Sequence, residues 1–183
     1  MNASIDVTDI RIETQRLILR PWADDDLDDF YEYASVPGVG EMAGWKHHQS
    51  KEESETILEM FIREKKTFAL VLKESGKAIG SLGIEQIDVD PERSEKLGRE
   101  IGYVLNKDYW GRGLMTEAVM AVIDHCFRVL DYDYLTCCHF KWNDQSRRVI
   151  EKCGFRYFGD SKFETRYGTV EESRNYVLYN PNK

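Results

Sequence analysis

The sequence lacks any long apolar run, and its basic residues are outnumbered by acidic ones. No stretch approaches the roughly 20 apolar residues that cross a bilayer, and residues 1–9 have neither the basic start nor the apolar middle of a secretory signal. Lys and Arg number 25 against 33 Asp and Glu, a formal net charge of −8. Because nucleic acids and anionic membranes are bound mainly through Lys and Arg, we expect neither as a partner and predict a cytoplasmic protein.

Cysteine and histidine are also scarce, with four of each. The cysteines contain no Cys-x-x-Cys pair, and Cys137 and Cys138 are neighbours that would point to opposite faces of a strand. The adjacent His47 and His48 would need a turn geometry and further ligands to hold a metal. We therefore expect no metal site and reduced, packed thiols.

The length of 183 residues corresponds to about one domain, at roughly 150 residues per domain. Hydrophobic residues make up 42% of the chain, enough for a substantial core, and no internal repeat or low-complexity tract interrupts it. We predict a single domain over 1–183, with a flexible N-terminus at 1–9.

The hydrophobic period changes several times along the chain. Helical spacing predicts helices at 24–34, 50–66, from 114 onward and at 143–152, and a polar connection spans 88–97. Strand patterns occur at 14–22, 68–72, 78–87, 99–105, 134–141, 155–158 and 172–179. Interleaved strands and helices indicate an α/β or α+β fold with a mixed sheet.

The most informative segment is 100–118, a strand, a glycine turn and a helix. Gly111 and Gly113 allow backbone N–H groups at the helix start to face an anion. The same pattern also serves as a plain helix entrance, which is the commoner role for Gly-x-Gly alone. Leu114 and Met115 exclude a Walker loop, and Thr116 stands where a dinucleotide fold needs its third glycine.

A second group of residues follows at Asn143, Ser146 and Gly154–Phe155 in WNDQSRRVIEKCGF. Together with TQRLILRPW and the segment 100–118, it resembles the GNAT superfamily of acyl-CoA-dependent N-acetyltransferases over about 11–179. Within this superfamily, the motifs resemble those of the branch of ribosomal-protein N-terminal (alanine/serine) acetyltransferases. The resemblance implies a mixed, mostly antiparallel twisted sheet of about six to seven strands, flanked by about four helices.

The resemblance also implies acetyl-CoA as co-substrate. Backbone N–H groups of 110–115 would hold the pyrophosphate, and the edge of the strand at 104–105 would pair with pantetheine amides. Asn143 would orient the pantetheine arm or cap a helix, and one residue can do both. The implied binding residues are Val104, Leu105, Trp110, Gly111, Arg112, Gly113, Leu114, Met115 and Asn143.

For catalysis the resemblance points to Glu100 as the general base, acting directly or through water. The alternative is an ordinary strand carboxylate paired with Arg99 or a lysine. Ile150 occupies the slot where many family members carry a tyrosine acid, so Ser146 becomes the candidate acid, or simply a residue at a helix start. Tyr103, Tyr109 and Tyr157 are spare candidates with weaker claims.

The acceptor wall is expected in the first loops, where Trp22, Trp45, His47 and His48 could stack on or orient a substrate. The implied reaction moves acetyl to a primary amine, either a protein N-terminal α-amine or a small molecule, by direct attack in a ternary complex. The alternatives are a non-catalytic acyl-CoA-binding sensor or interaction module and an unrelated nucleotide-phosphate binder. Family members are often monomers or homodimers.

Overall fold

The structure, a computed structural model, describes residues 1–91 and 95–183; residues 92–94, part of the predicted connection 88–97, lie outside the described residues. Within the described ranges, three short 3₁₀ turns lie at Asp24–Asp26, Gly40–Ala43 and Lys107–Tyr109. The α-helices are α1 (Leu27–Ala34), α2 (Lys51–Glu64), α3 (Leu114–Arg128) and α4 (Asp144–Lys152). The strands are β1 (Ile12–Glu13), β2 (Leu17–Pro21), β3 (Thr67–Leu72), β4 (Ala78–Glu85), β5 (Gly98–Leu105), β6 (Tyr134–Phe140), β7 (Arg156–Glu164) and β8 (Val170–Tyr179).

In the part of the chain that the structure describes, all eight strands form one sheet in the order β1-β2-β3-β4-β5-β6-β8-β7. Among these eight described strands, only β5 and β6 pair in parallel; every other neighbouring pair of them is antiparallel. The predicted α/β fold with a mostly antiparallel sheet and four helices is confirmed. The sheet has one strand more than expected, because β1 is two residues long and too short to show alternation.

Helices cover both faces of the sheet. Helices α1 and α2 pack Phe30 and Leu58 on one face, and α3 packs its apolar stripe on the other. The stripe predicted for α3 is buried at Met115, Ala118, Val122 and Cys126. Its last predicted member, Val129, is 66% exposed because the helix ends at Arg128.

The first nine residues differ from the flexible terminus that the sequence suggested. Ala3 and Val7 are only 3% and 1% exposed and belong to the core on the α3 face. The backbone N–H of Ala3 donates to the carbonyl of Gly98 at 3.0 Å. Two small apolar side chains and this bond attach the segment to the start of β5.

The parallel strands β5 and β6 separate part-way along their length. Their pairing runs from Gly98 opposite Tyr134 to Ile101 opposite Cys137. Beyond that point β5 continues along β4, and β6 continues along β8. The described residues therefore contain a split inside the sheet, at the carboxyl ends of its two parallel strands, where ligands of such sheets commonly bind.

Candidate active site

A cavity of about 320 Å³ opens at this split. It is lined by the end of β5, the turn before α3, the first turn of α3 and one face of α4. Every residue predicted to bind the co-substrate lines the cavity except Arg112, and Ser146 lines it as well. The structure thus brings together two sequence segments that lie about 30 residues apart.

The turn before α3 has the geometry of an anion cradle. Gly111 and Gly113 both have φ of +75°, a conformation that L side chains rarely adopt. A Cβ atom at Gly111 would meet nothing within 4 Å, so the space above the turn is open. Gly113 is the N-cap of α3 and offers no side-chain acceptor, which leaves N–H groups of the first turn available to an anion.

Side chains of the turn fold back and brace it. Trp110 Nε1 donates to the carbonyl of Leu105 at 2.8 Å, and Arg112 Nη2 donates to the carbonyl of Asp108 at 2.9 Å. The Arg112 guanidinium also lies over the Tyr109 ring, 5.1 Å from its centroid. These contacts hold the cradle open, while the charge that Arg112 would lend to a phosphate remains a prediction.

Arg16, which lies 96 residues before Arg112 in the sequence, also contacts the turn before α3. Its Nε and Nη2 atoms both lie 2.7 Å from Glu117 Oε2 in α3, and its Nη1 donates to the carbonyl of Arg112 at 2.9 Å. Arg16 is not among the predicted site residues, because its place in TQRLILRPW is its only motif signal in the sequence. Its contacts fix the cradle relative to the first turn of α3.

Glu100 lies in β5, where the pairing with β6 is about to end. Thr136 Oγ1 donates to its carboxylate at 3.1 Å, and Cys138 Sγ donates at 3.6 Å. Burial raises the pKa of Glu100 above its ordinary value, and the hydrogen bonds offset this only in part. The alternative pairing with Arg99 is not seen, because Arg99 Nε donates to the carbonyl of Ala3.

Tyr103 and Ser146 form a hydroxyl pair across the split. Tyr103 Oη lies 2.9 Å from Ser146 Oγ and 3.2 Å from the Ser146 carbonyl oxygen. Burial raises the pKa of the Tyr103 hydroxyl well above its ordinary value, so it stays protonated. Both residues line the cavity, as does Tyr109, whereas Tyr157 is exposed and bonds to Asp160.

Asn143 caps α4 and ties it to the turn at Gly40–Ala43. Its Oδ1 accepts the backbone N–H of Ser146 at 3.1 Å, and its Nδ2 donates to the Met42 carbonyl at 3.3 Å. The capping role proposed from the sequence is therefore present. Because the same side chain lines the cavity, it is also placed to meet a ligand.

A family model described as an acetyltransferase (GNAT) domain matches residues 16–156. The chain belongs to the GNAT acetyltransferases. It is 24% identical over 176 residues to a Bacillus subtilis protein described as the uncharacterized N-acetyltransferase YoaA, covering 93% of this chain and 97% of that one. As a GNAT enzyme it is an acetyltransferase, and the resemblance drawn from its motifs is confirmed.

Solved structures share the GNAT fold at low identity. A GNAT-family acetyltransferase from Bacillus anthracis has a TM-score of 0.81 at 20% identity, covering 93% of this chain and 99% of that one. A ribosomal-protein-S5-alanine acetyltransferase from Vibrio fischeri has a TM-score of 0.73 at 22% identity, with coverages of 95% and 98%. RimJ of Mycobacterium smegmatis, in complex with CoA-disulfide, has a TM-score of 0.74 at 18% identity, with coverages of 96% and 90%.

The residues of this GNAT chain fit acetyl-CoA, which the fold binds. The open space over Gly111 and the uncapped start of α3 suit a pyrophosphate. The strand edge at 102–105, unpaired on the β6 side, suits the amides of a pantetheine arm. Within 1–91 and 95–183, no group of three or more His, Cys, Asp or Glu could hold a metal ion, and no helix has the length and apolar character to span a membrane.

The four residues expected in the GNAT acceptor wall have different surroundings, and none lines the cavity. Trp22 is 4% exposed and packs on Phe30, with ring centroids 5.3 Å apart. His48 is buried with Nδ1 2.7 Å from Ser54 Oγ, and burial lowers its pKa. Trp22 and His48 therefore do not have the substrate-facing positions that the sequence predicts, because both belong to the aromatic core under α1 and α2. Trp45 and His47 remain partly exposed on that face.

Proposed function

We propose that the chain transfers an acetyl group from acetyl-CoA to a primary amine by direct attack in a ternary complex. The observation that carries this proposal is the split between β5 and β6. Glu100 lies on the α1 side of the sheet, and the Tyr103–Ser146 pair lies on the α3 and α4 side. The hydroxyl pair lines the cavity, whereas Glu100 does not line it and lies one residue before the split, on the opposite face of β5. The proposal therefore has the amine reach the thioester from the Glu100 side of the opening.

The donor would be held mainly by backbone. N–H groups of 110–115 would bind the pyrophosphate, and Val104 and Leu105 would pair with the pantetheine arm. Acetyl-CoA supplies the activated acetyl thioester. Because Asn143 joins α4 to the turn at Gly40–Ala43, it would hold the far wall at a fixed distance from β5.

Glu100 would remove the proton that prevents the amine from attacking. A primary amine at pH 7 is mostly ammonium, and a carboxylate whose pKa is raised by burial is a stronger base than an exposed one. Thr136 and Cys138 hold the carboxylate in one orientation. Gly102, exposed on the same face, leaves room for an amine or a bridging water to approach.

Ser146 would hydrogen-bond to the departing sulfur. Either hydroxyl of the Tyr103–Ser146 pair can be the donor. When Tyr103 donates to Ser146 Oγ, the serine hydrogen is free to turn into the cavity. A thiol with a pKa near about 8.5 leaves more easily when such a donor stabilises it.

The acceptor is either a protein N-terminal α-amine or a small-molecule amine. The likeness to a ribosomal-protein-S5-alanine acetyltransferase supports including peptides that begin with alanine. The four unpaired cysteines support a reducing, cytoplasmic compartment. We include a homodimer in the proposal on the basis of family likeness alone. Light scattering would measure the molar mass in solution and so test it.

The test is release of free thiol from acetyl-CoA, followed with a thiol reagent against a panel of amines and N-terminal peptides. Initial rates measured while both substrates vary should give intersecting reciprocal plots. Parallel plots would exclude direct attack in a ternary complex. CoA binding with no thiol release on any amine would favour the non-catalytic module instead, a role compatible with Ile150, buried where many relatives carry a tyrosine.

A further inference from the structure

One wall of the cavity is a face of α4 that carries two cations. Gln145, Arg148 and Lys152 all line the cavity, and their spacing of three and four residues places them on one side of the helix. Arg148 and Lys152 are exposed, so their charged ends remain hydrated at the opening. Together, Gln145, Arg148 and Lys152 form the basic wall of the cavity.

The two cations of the basic wall have no acidic partner among residues 1–91 and 95–183. The acids of α4 are instead engaged by the neighbouring Arg147, which lies 3.1 Å from Asp144 Oδ1 and 3.5 Å from Glu151 Oε1. Like charges four residues apart on a helix repel each other. Lys152 is in the last turn, where the helix dipole favours a cation, but Arg148 is one turn earlier and lacks that compensation.

The cradle that shares this cavity needs no help from the basic wall. It offers backbone N–H groups at Gly111 and Gly113. The two arginines beside it are engaged elsewhere, Arg16 with Glu117 and Arg112 with the Asp108 carbonyl and the Tyr109 ring. The positive end of α3 and the two cations of α4 therefore face one space without a counter-charge from the protein. Such an arrangement suits a ligand that carries a second anionic group beyond its pyrophosphate.

We propose that Arg148 and Lys152 bind the ribose 3′-phosphate of the co-substrate and give this enzyme a preference for CoA over 3′-dephospho-CoA. The inference rests on the proposed function, in which the cavity holds acyl-CoA. A phosphomonoester offers three acceptor oxygens, which match the planar donor fork of arginine and the ammonium of lysine. The pyrophosphate, common to both nucleotides, would remain with the backbone cradle.

Isothermal titration calorimetry with CoA and with 3′-dephospho-CoA tests this. For the unmodified protein we expect CoA to bind about tenfold more tightly or better, the size expected of charge-assisted contacts at an exposed site. The double variant R148Q/K152Q should lose most of this preference while its affinity for 3′-dephospho-CoA stays unchanged. The matched control is R147Q, which removes an adjacent arginine whose partners are Asp144 and Glu151 and should keep the full preference.

Salt provides a second readout, because screening weakens contacts between exposed charges. The preference of the unmodified protein should shrink as ionic strength rises, whereas the double variant should respond to salt equally with both nucleotides. Equal affinity of the unmodified protein for CoA and 3′-dephospho-CoA, with thiol release intact, would overturn this inference and leave the proposed function standing. Failure to bind either nucleotide, together with no thiol release, would overturn both.

Discussion

The substitution Glu100→Gln tests whether Glu100 is the general base and whether its buried carboxylate lowers the stability of the fold. Glutamine has the shape of glutamate without its charge, and the Thr136 hydroxyl can accept as well as donate a hydrogen bond. Loss of a general base lowers rates by about 10² to 10⁴. We therefore expect kcat to fall at least about a hundredfold at neutral pH, with little change in CoA affinity.

The same substitution should stabilise the fold near neutral pH. Burial raises the pKa of Glu100 in the folded protein above its value in the unfolded chain. Above the folded pKa the ionised carboxylate therefore opposes folding, and below the unfolded pKa it is protonated in both states and has no effect. In a chain of this size each kcal/mol gained raises Tm by about 2–4 °C. The Tm difference between variant and parent should therefore be absent in acid, grow as the pH rises above the unfolded pKa, and reach its full size above the folded pKa.

The assay is the pH profile of kcat/KM taken as a ratio of parent to variant, in which titration of the acceptor amine cancels. The ratio should rise with pH through the pKa of Glu100. The matched control is Glu85→Gln, opposite Glu100 on β4, where the carboxylate is paired with Lys66 at 2.7 Å and 38% exposed. Its rate should stay within about threefold, since exposed ion pairs contribute little. A flat ratio and an unchanged Tm for Glu100→Gln would refute the reasoning.

Three further substitutions probe the cradle, the hydroxyl pair and the cap. Gly113→Glu should weaken CoA binding about tenfold or more, because it places a negative charge at the anion site. The control Gly113→Ala has the same strained φ of +75° without the charge and should weaken binding less. Equal losses of affinity in calorimetry would show that the charge is not the cause. Tyr103→Phe removes the hydrogen bond to Ser146 and should lower kcat about tenfold, with a smaller change in KM. Steady-state kinetics measure both constants, and a change in KM alone would contradict this role. Asn143→Ala should destabilise the protein by about 0.5–2 kcal/mol through loss of the cap, as measured by urea unfolding; an unchanged midpoint would deny it that role.

Elements with a clear hydrophobic period could be predicted from the sequence, and those at the sheet edge could not. The α3 stripe and the buried β3 follow from local pattern alone. By contrast, β7 runs over Arg156–Glu164, although only 155–158 was predicted. Its later residues, Gly-Asp-Ser-Lys, lack the apolar alternation of a buried strand because β7 has a neighbour on one side only.

The site divides in a similar way. The cradle lies within a few consecutive residues, so its glycines and helix start are visible in the sequence. The Tyr103–Ser146 pair spans 43 residues and the Arg16–Glu117 contact spans 101, and no local pattern predicts such pairs. The sequence predicts that Trp22 contacts substrate, but it packs on Phe30 in the core. A tryptophan near a loop is compatible with either role, and only its neighbours in the fold distinguish them.

The separation of β5 and β6 means that the sheet of the free enzyme is incomplete at its centre. A bound pantetheine arm would take the place of the missing pairing on β5, so co-substrate supply becomes a component of conformational stability. Ligand at a hundred times its Kd adds about 2.7 kcal/mol to the free energy of unfolding. Free CoA carries the same arm, so only a cell depleted of both CoA and its thioesters would hold this enzyme in a form that opens more often and is degraded sooner.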